Sequence, residues 1–256
     1  MSTAFNQVAA LYDEARPGYP EPLIEDVVGL SAIPPGGRIL EIGSGTGQAT
    51  LPFARKGYTM LCLEPGDALA RIASRHCLSY PLVSIQLVTF EDWPLLRSAF
   101  DLVISAQAFD WIPAEIGYPK AAATLKDSGS LALFWNRSPD VDTPFRQAVE
   151  EVFRNKAPHL MEYLPGKESL EDWINQKREQ IESSGQFSEV TIKVYPWSEK
   201  YTVERYIKLL KTFSVISTLE ESSRQELLAE LRDTANRFGS EVDSPHLSIL
   251  FIANKQ

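Results

Sequence analysis

Residues 38–47 read RILEIGSGTG, an apolar run that passes directly into glycines at 43, 45 and 47. Buried parallel strands end this way. Glycines at alternate positions let the backbone turn tightly and come close to a ligand, where side chains would stand in the way. Residues 48–57 have helical spacing and stop at Gly57, so the turn is expected to aim the N–H groups of a helix start at whatever is bound. Two details narrow the ligand. The dinucleotide fingerprint G-x-G-x-x-G needs glycine at 48, where Gln48 stands. Glu41 also interrupts a strand that is usually apolar throughout in nicotinamide-binding sheets, and its carboxylate can orient the loop or face a ligand. Glu64 ends the next apolar run, 59–64, where a carboxylate can accept both hydroxyls of a ribose. A surface acid at a strand end is the alternative, which the neighbouring glycine turn disfavours.

The rest of the chain agrees with a sheet around that turn. Apolar runs at 83–90, 100–109 and 130–136 predict three more strands, with helices over 67–77, where Asp67 is the expected N-cap, and around 114–126. Pro119 inside the latter predicts a kink or a late start. Alternation of strand and helix through residue 137 marks a doubly wound parallel sheet. Beyond it, 142–186 is mainly helical, 190–201 alternates like a strand with one wet face, a helical stretch covers 203–238, and an apolar strand follows. The expected fold class is α/β, a Rossmann-like, doubly wound, mostly parallel seven-stranded sheet with an antiparallel edge strand and a helical cap insertion. One domain over 1–256 is expected. Residues 1–30 form an N-terminal lid, 31–137 the cofactor-binding core, 138–188 and 202–240 the cap, and 189–201 and 246–254 late strands of the core sheet.

Composition removes several function classes. In 256 residues, 34 Asp and Glu against 25 Lys and Arg give a net charge of −9, which argues against nucleic acid as a partner. Two cysteines, Cys62 and Cys77, make neither a disulfide framework nor a zinc site, and no metal is expected. The start has no basic segment followed by an apolar run, and no stretch is apolar enough to span a membrane, so the chain reads as cytoplasmic. Oligomeric state is not readable.

At this point the residues resemble the class I S-adenosylmethionine-dependent methyltransferases, in particular the small-molecule group of type 11-like enzymes. LEIGSGTG resembles their first motif, CLEP the acid after the second strand, FEDWP the segment beside adenine, and FDLVISAQAFDW the fourth strand and its loop. The opening FNQVAALYDEARPGYP is similar to an N-terminal lid, and YTVERYIKLLKTFSVISTL to the C-terminal part of that group. The resemblance implies S-adenosylmethionine as cofactor and assigns roles by position. Gly43, Ser44, Gly45 and Gly47 would line its methionine and ribose side, with Glu41 facing the methionine end. Glu64 would hold the ribose and Pro65 would lie beside adenine. Thr89 and Phe90 would border the adenine edge, although relatives often carry an acid at the Thr89 position. Ala106 and Gln107 would lie near the sulfonium, and Tyr12 and Arg16 of the lid would grip the carboxylate. Phe90 and Trp93 read equally well as core aromatics, and Tyr12 as a packing residue.

The acceptor is left open. Relatives often read A-F-H-W after the fourth strand, whereas this chain has Ala108-Phe109-Asp110-Trp111. A base role there would fall to Asp110, move elsewhere or be absent. Trp111, Trp135, Asn136 and Arg137 follow strands four and five at their carboxyl ends, where ligands collect in such sheets, and are the substrate-binding candidates. Trp135 reads more readily as core. His159, in the cap, is the other weak catalytic candidate, with a surface histidine as its plainer reading. The expected function is methyl transfer to a small-molecule acceptor by in-line displacement. A protein that binds the cofactor for sensing or interaction is the alternative, and a nicotinamide-dependent oxidoreductase is disfavoured by Gln48.

Overall fold

The computed structural model describes residues 6–164 and 169–256. Phe5, the first residue of the lid-like motif, and residues 165–168 of the loop 157–169 lie outside the described residues.

The described residues hold a seven-stranded sheet. Its strands are β1 (Arg38–Ile42), β2 (Thr59–Leu63), β3 (Val83–Gln86), β4 (Phe100–Ala106), β5 (Leu125–Arg137), β6 (Thr191–Thr202) and β7 (Glu241–Asn254), in the order β3-β2-β1-β4-β5-β7-β6. The first five are parallel; β7 runs antiparallel to both β5 and β6, so the antiparallel strand lies next to the edge and β6 is outermost. The order reverses between β1 and β4, and their carboxyl ends open the crevice in which such sheets hold ligands.

Helices cover both faces. In chain order they are α1 (Ala9–Ala15), α2 (Glu21–Ser31), α3 (Thr50–Arg55), α4 (Asp67–His76), α5 (Ala114–Thr124), α6 (Pro144–Lys156), α7 (Leu170–Ser183), α8 (Val203–Lys211), α9 (Ser214–Ser217) and α10 (Glu221–Arg237). The central strands bury side chains on both sides, as parallel strands do. Leu40, Ile42, Val103, Leu131 and Leu133 pack toward α5 and α7, while Ile39, Leu102, Ile104, Ala132 and Phe134 pack toward α2 and α3. A third apolar cluster holds the cap together, with Val149 and Phe153 of α6, Ile207 and Leu210 of α8, and Leu227 and Leu231 of α10.

Several boundaries differ from the sequence reading. The helix after the glycine turn begins at Thr50, two residues late, and is six residues long. The N-cap of α4 is Gly66, not Asp67; the Gly66 N–H is taken by the Glu64 carboxylate, and Asp67, in the first turn, pairs with Arg71. α5 runs through Pro119 without a late start, the proline lying on the exposed face where its missing N–H costs least. β3 stops at Gln86, because Thr89 turns the chain by bonding Asp92 through both its hydroxyl and the Asp92 N–H. The stretch 203–238 is divided into α8, α9 and α10. No helix among the described residues is long and apolar enough to cross a membrane.

Candidate active site

The glycine turn is built by backbone constraint. Gly43, Gly45 and Gly47 have φ of 73°, 57° and 100°, in the left-handed region that favours glycine. At Gly43 space adds a second constraint, since a Cβ there would lie 2.3 Å from the Ala108 Cβ. The loops after β1 and β4 therefore touch only because one of them lacks a side chain. The Gly43 and Ser44 N–H groups both donate to the Leu63 carbonyl at the end of β2.

Glu64 fastens this turn to α4. One of its carboxylate oxygens accepts from the Gly45 N–H at 2.8 Å and the other from the Gly66 N–H at 2.7 Å. Burial raises its pKa, against which the two N–H groups act. Glu41 is fully buried at the strand's edge of the turn. Its Oε2 accepts from the Thr50 hydroxyl at 2.6 Å and the Cys62 thiol at 3.3 Å, while its Oε1 is sealed from water with no partner. Burial, first among the causes, pushes its pKa up to about 7. The Ser44 hydroxyl oxygen beside it is likewise buried and unpartnered. Unpaired buried polar atoms are uncommon in native folds and point to a group that completes them.

These residues border a cavity of about 560 Å³ that also takes in Ala106, Gln107, Asn136 and Arg137 and extends beneath the cap. Gln107 has φ of 66°, an uncommon conformation for a residue with a side chain, held by its N–H on the Phe134 carbonyl and its side-chain amide on the Asn136 carbonyl. Asn136 then joins the sheet to the lid segment, donating to the Gly18 carbonyl at 2.8 Å and accepting from Ser248.

The lid closes over the turn. Tyr12 lies 3.8 Å from where a Gly45 Cβ would stand, and burial raises its pKa. The Arg16 guanidinium borders the cavity but is bound to Thr212, with Nε on the hydroxyl at 2.8 Å and Nη2 on the carbonyl at 3.1 Å. It also lies over the Phe213 ring at 4.6 Å. Asn6 accepts from the Ala68 N–H at the start of α4, next to Gly66 and Glu64.

Of the sequence candidates, Tyr12, Arg16, Glu41, Gly43, Ser44, Gly45, Ala106, Gln107, Asn136 and Arg137 border the cavity. Gly47, Glu64, Pro65, Thr89 and Phe90 are not on its wall, although Glu64 is one hydrogen bond from it through Gly45. Phe90 is buried and stacked on Trp93, while Thr89 serves the turn after β3. Two substrate-binding candidates lie elsewhere. Trp111 is half exposed beyond β4, and Trp135 points into the core against Trp173 and Phe251, on the opposite side of β5 from Phe134. Asp110 does not border the cavity either; it is paired with Lys177 of α7 at 2.6 Å. His159 is exposed and lines a smaller hollow of about 290 Å³ that shares Leu160, Tyr163 and Val215 with the main cavity. The sequence reading used Gln48 only to exclude a dinucleotide and assigned no site role to Tyr19 or to the far wall, including Phe145, Tyr206, Phe213 and His246. Tyr19 sits in the lid motif that carried the resemblance, whereas His246 stands at the polar start of an apolar run, which by itself signals nothing.

Residues 39–129 match the family model described as a methyltransferase domain. An uncharacterised methyltransferase of Mycobacterium tuberculosis is 29% identical over 136 residues, which are 53% of this chain and 53% of that protein. The chain thus aligns with about half the length of that relative. An uncharacterised methyltransferase-like protein of Schizosaccharomyces pombe is 27% identical over 90% of this chain and 85% of its own length. Among solved structures, a putative type II methyltransferase from Anaeromyxobacter dehalogenans superposes with a TM-score of 0.65 at 21% identity, over 94% of this chain and 96% of that one. A phosphoethanolamine N-methyltransferase from Haemonchus contortus, solved with S-adenosyl-L-methionine, gives 0.55 at 16% identity, over all of this chain and 57% of that one. At these identities the structures speak for the fold. Together with the glycine turn, the acid after β2 and the matched sequence model, they support a class I S-adenosylmethionine-dependent methyltransferase domain over residues 39–129.

Proposed function

We propose that the chain transfers a methyl group from S-adenosylmethionine to a small-molecule acceptor by in-line displacement. One observation carries the reading: a single cavity runs from the glycine turn after β1, past the end of β4, to a chamber under the cap. That is room for two ligands meeting end to end, and it favours an enzyme over a protein that only binds the cofactor.

The residues at the turn suit the cofactor. Glu41 and Ser44 each present a buried polar atom with no partner, and at Gly45 a Cβ would stand 3.8 Å from Tyr12 and Gln48. The Glu41 carboxylate and the Ser44 hydroxyl would meet the cofactor's polar methionine end. Glu64 holds the turn in shape through the Gly45 N–H and keeps lone pairs for ribose hydroxyls. The cofactor supplies an electrophilic methyl group and a neutral leaving sulfur. The chain's own part is to orient the acceptor and exclude water, and alignment alone can provide a large share of the rate enhancement. The lid does the excluding: α1 packs over the turn and Tyr12 covers Gly45. Two cysteines, Cys62 and Cys77, both buried and free, suit a reducing cytoplasmic compartment. The net charge of −9 suits a small-molecule partner better than a nucleic acid.

Calorimetric titration with S-adenosylmethionine, S-adenosylhomocysteine and NAD tests the reading. The first two should bind with micromolar affinity and NAD should not. Gly45→Asp should abolish that binding in a protein that still unfolds cooperatively, because the side chain would fill the ligand's place and add a charge beside Glu64. Retained affinity in that variant, or tighter binding of NAD, would remove the proposal.

A further inference from the structure

The two ends of the cavity differ in chemistry. Under the cap its wall is apolar and rich in rings: Phe145, Val149 and Phe153 from α6, Tyr206 and Leu209 from α8, and Phe213. The charged groups at this end are engaged, Arg16 by Thr212 and by the Phe213 ring beneath its guanidinium. Arg146 reaches the wall, but its guanidinium is taken by Asp140 and Glu150 and by the carbonyls of Pro139 and Val141. The Arg137 guanidinium lies over the Trp173 ring at 4.6 Å. Glu162 and Asp243, the carboxylates at the border, are exposed. An anion entering here would pass two acids and find its cations already engaged.

Two polar side chains on this wall, Tyr206 and His246, are suited to hold a ligand. Tyr206 is set edge-on to Phe145 at 5.5 Å, and burial alone raises its pKa, with neither a charge nor a hydrogen bond contributing. His246 comes from the other side, on β7, only 6% exposed, its ring 4.7 Å from that of Trp197. Its Nε2 is buried without a partner. The groups facing it are Trp197, Tyr201, Glu199 and Arg205. Burial lowers its pKa, which favours the uncharged ring, and the unpartnered Nε2 donates or accepts according to tautomer. A neutral imidazole and a phenol within an apolar chamber complement a group that both donates and accepts one hydrogen bond.

We propose that the chamber under the cap is the acceptor subsite, that it takes an uncharged ring compound bearing a hydroxyl, and that His246 and Tyr206 bind that hydroxyl. The word acceptor rests on the methyl-transfer reading; the ligand class rests on the chamber alone. Burying an unpaired carboxylate there would cost far more than burying a hydroxyl with two partners.

Naphthol and naphthoate, equal in ring and opposite in charge at neutral pH, are the probes, titrated calorimetrically into protein saturated with S-adenosylhomocysteine. Naphthol should bind at least about tenfold more tightly, and His246→Phe and Tyr206→Phe should each weaken it by about tenfold, the size of one lost hydrogen bond. Neither change should move the affinity for S-adenosylhomocysteine. In the unsubstituted protein the His246 imidazole resonances should shift on adding naphthol, which decides the matter even if His246→Phe does not fold. Equal or tighter binding of naphthoate, no binding of naphthol, or an unmoved imidazole signal would overturn the proposal. Failure of S-adenosylhomocysteine to bind would instead overturn the methyl-transfer reading, and naphthol titrated alone would still test the chamber.

Discussion

A carboxylate with one oxygen bonded and the other sealed in the protein, as Glu41 has, is costly when ionised. Its pKa rises from 4.5 to about 7, so between those values the folded state holds a proton that the unfolded state has released. Stability therefore falls as pH rises through that window. Glu41→Gln keeps an acceptor for Thr50 and removes the titration. It should be more stable than the unsubstituted protein by on the order of 2 kcal/mol at about pH 8, with the gain shrinking as pH falls toward about 5. Urea unfolding at both pH values checks this, and a gain independent of pH would contradict it. Glu41 was legible in the sequence because an acid inside an apolar run has no packing reason to be there. Trp135 was not, since which face of β5 a residue occupies depends on pairings with β4 and β7. His246 was hidden for the same reason: its surroundings come from β6 and α8, not from its neighbours in the chain.

At the scale of elements, the lid is held by the cap as well as by the core. Besides Arg16 on Thr212, Glu14 pairs with Lys208 and its carbonyl accepts from Arg205, all contacts between α1 and the α8 region. Removing the guanidinium should free the lid locally without unfolding the sheet. In Arg16→Gln, amides of residues 6–16 should exchange faster by about tenfold, as losing one charged hydrogen bond of about 1.5 kcal/mol implies, with β1 and β4 unchanged. Hydrogen exchange read by mass spectrometry makes the comparison, and uniform acceleration across the sheet would contradict it. The same contact explains a boundary the sequence reading missed. The Thr212 carbonyl would be free to continue the α8 helix, but it is taken by a side chain 196 residues away. Strands between glycines were readable because their signals are local; the break after α8 was not, because its cause is tertiary. The short α3 and the early stop of β3 fall between these cases, set by turns whose side chains bond within three residues of themselves.

The described residues pack three main apolar clusters, two on the faces of the sheet and one centred on the cap. The cap cluster reaches the lid through Ala15 and the sheet only at its far end, through Tyr201 of β6 and Val242 of β7. It should therefore open as a unit below the free energy of global unfolding. In native-state exchange at low urea, amides of α6, α8 and α10 should merge into one isotherm that lies beneath that of β1 and β4. A single isotherm for all of them would show that cap and sheet open only together. The arrangement of β7 carries a consequence of another kind. It follows every other strand in the chain yet lies inside the sheet, between β5 and β6, joining residues such as Asn136 and Ser248 that are 112 positions apart. During synthesis, at roughly 5–20 residues per second, β5 and β6 both wait several seconds with open edges before their shared neighbour emerges. Until then β6 has nothing to pair with, and the nascent chain carries unpaired strand borders that are open to edge-to-edge association.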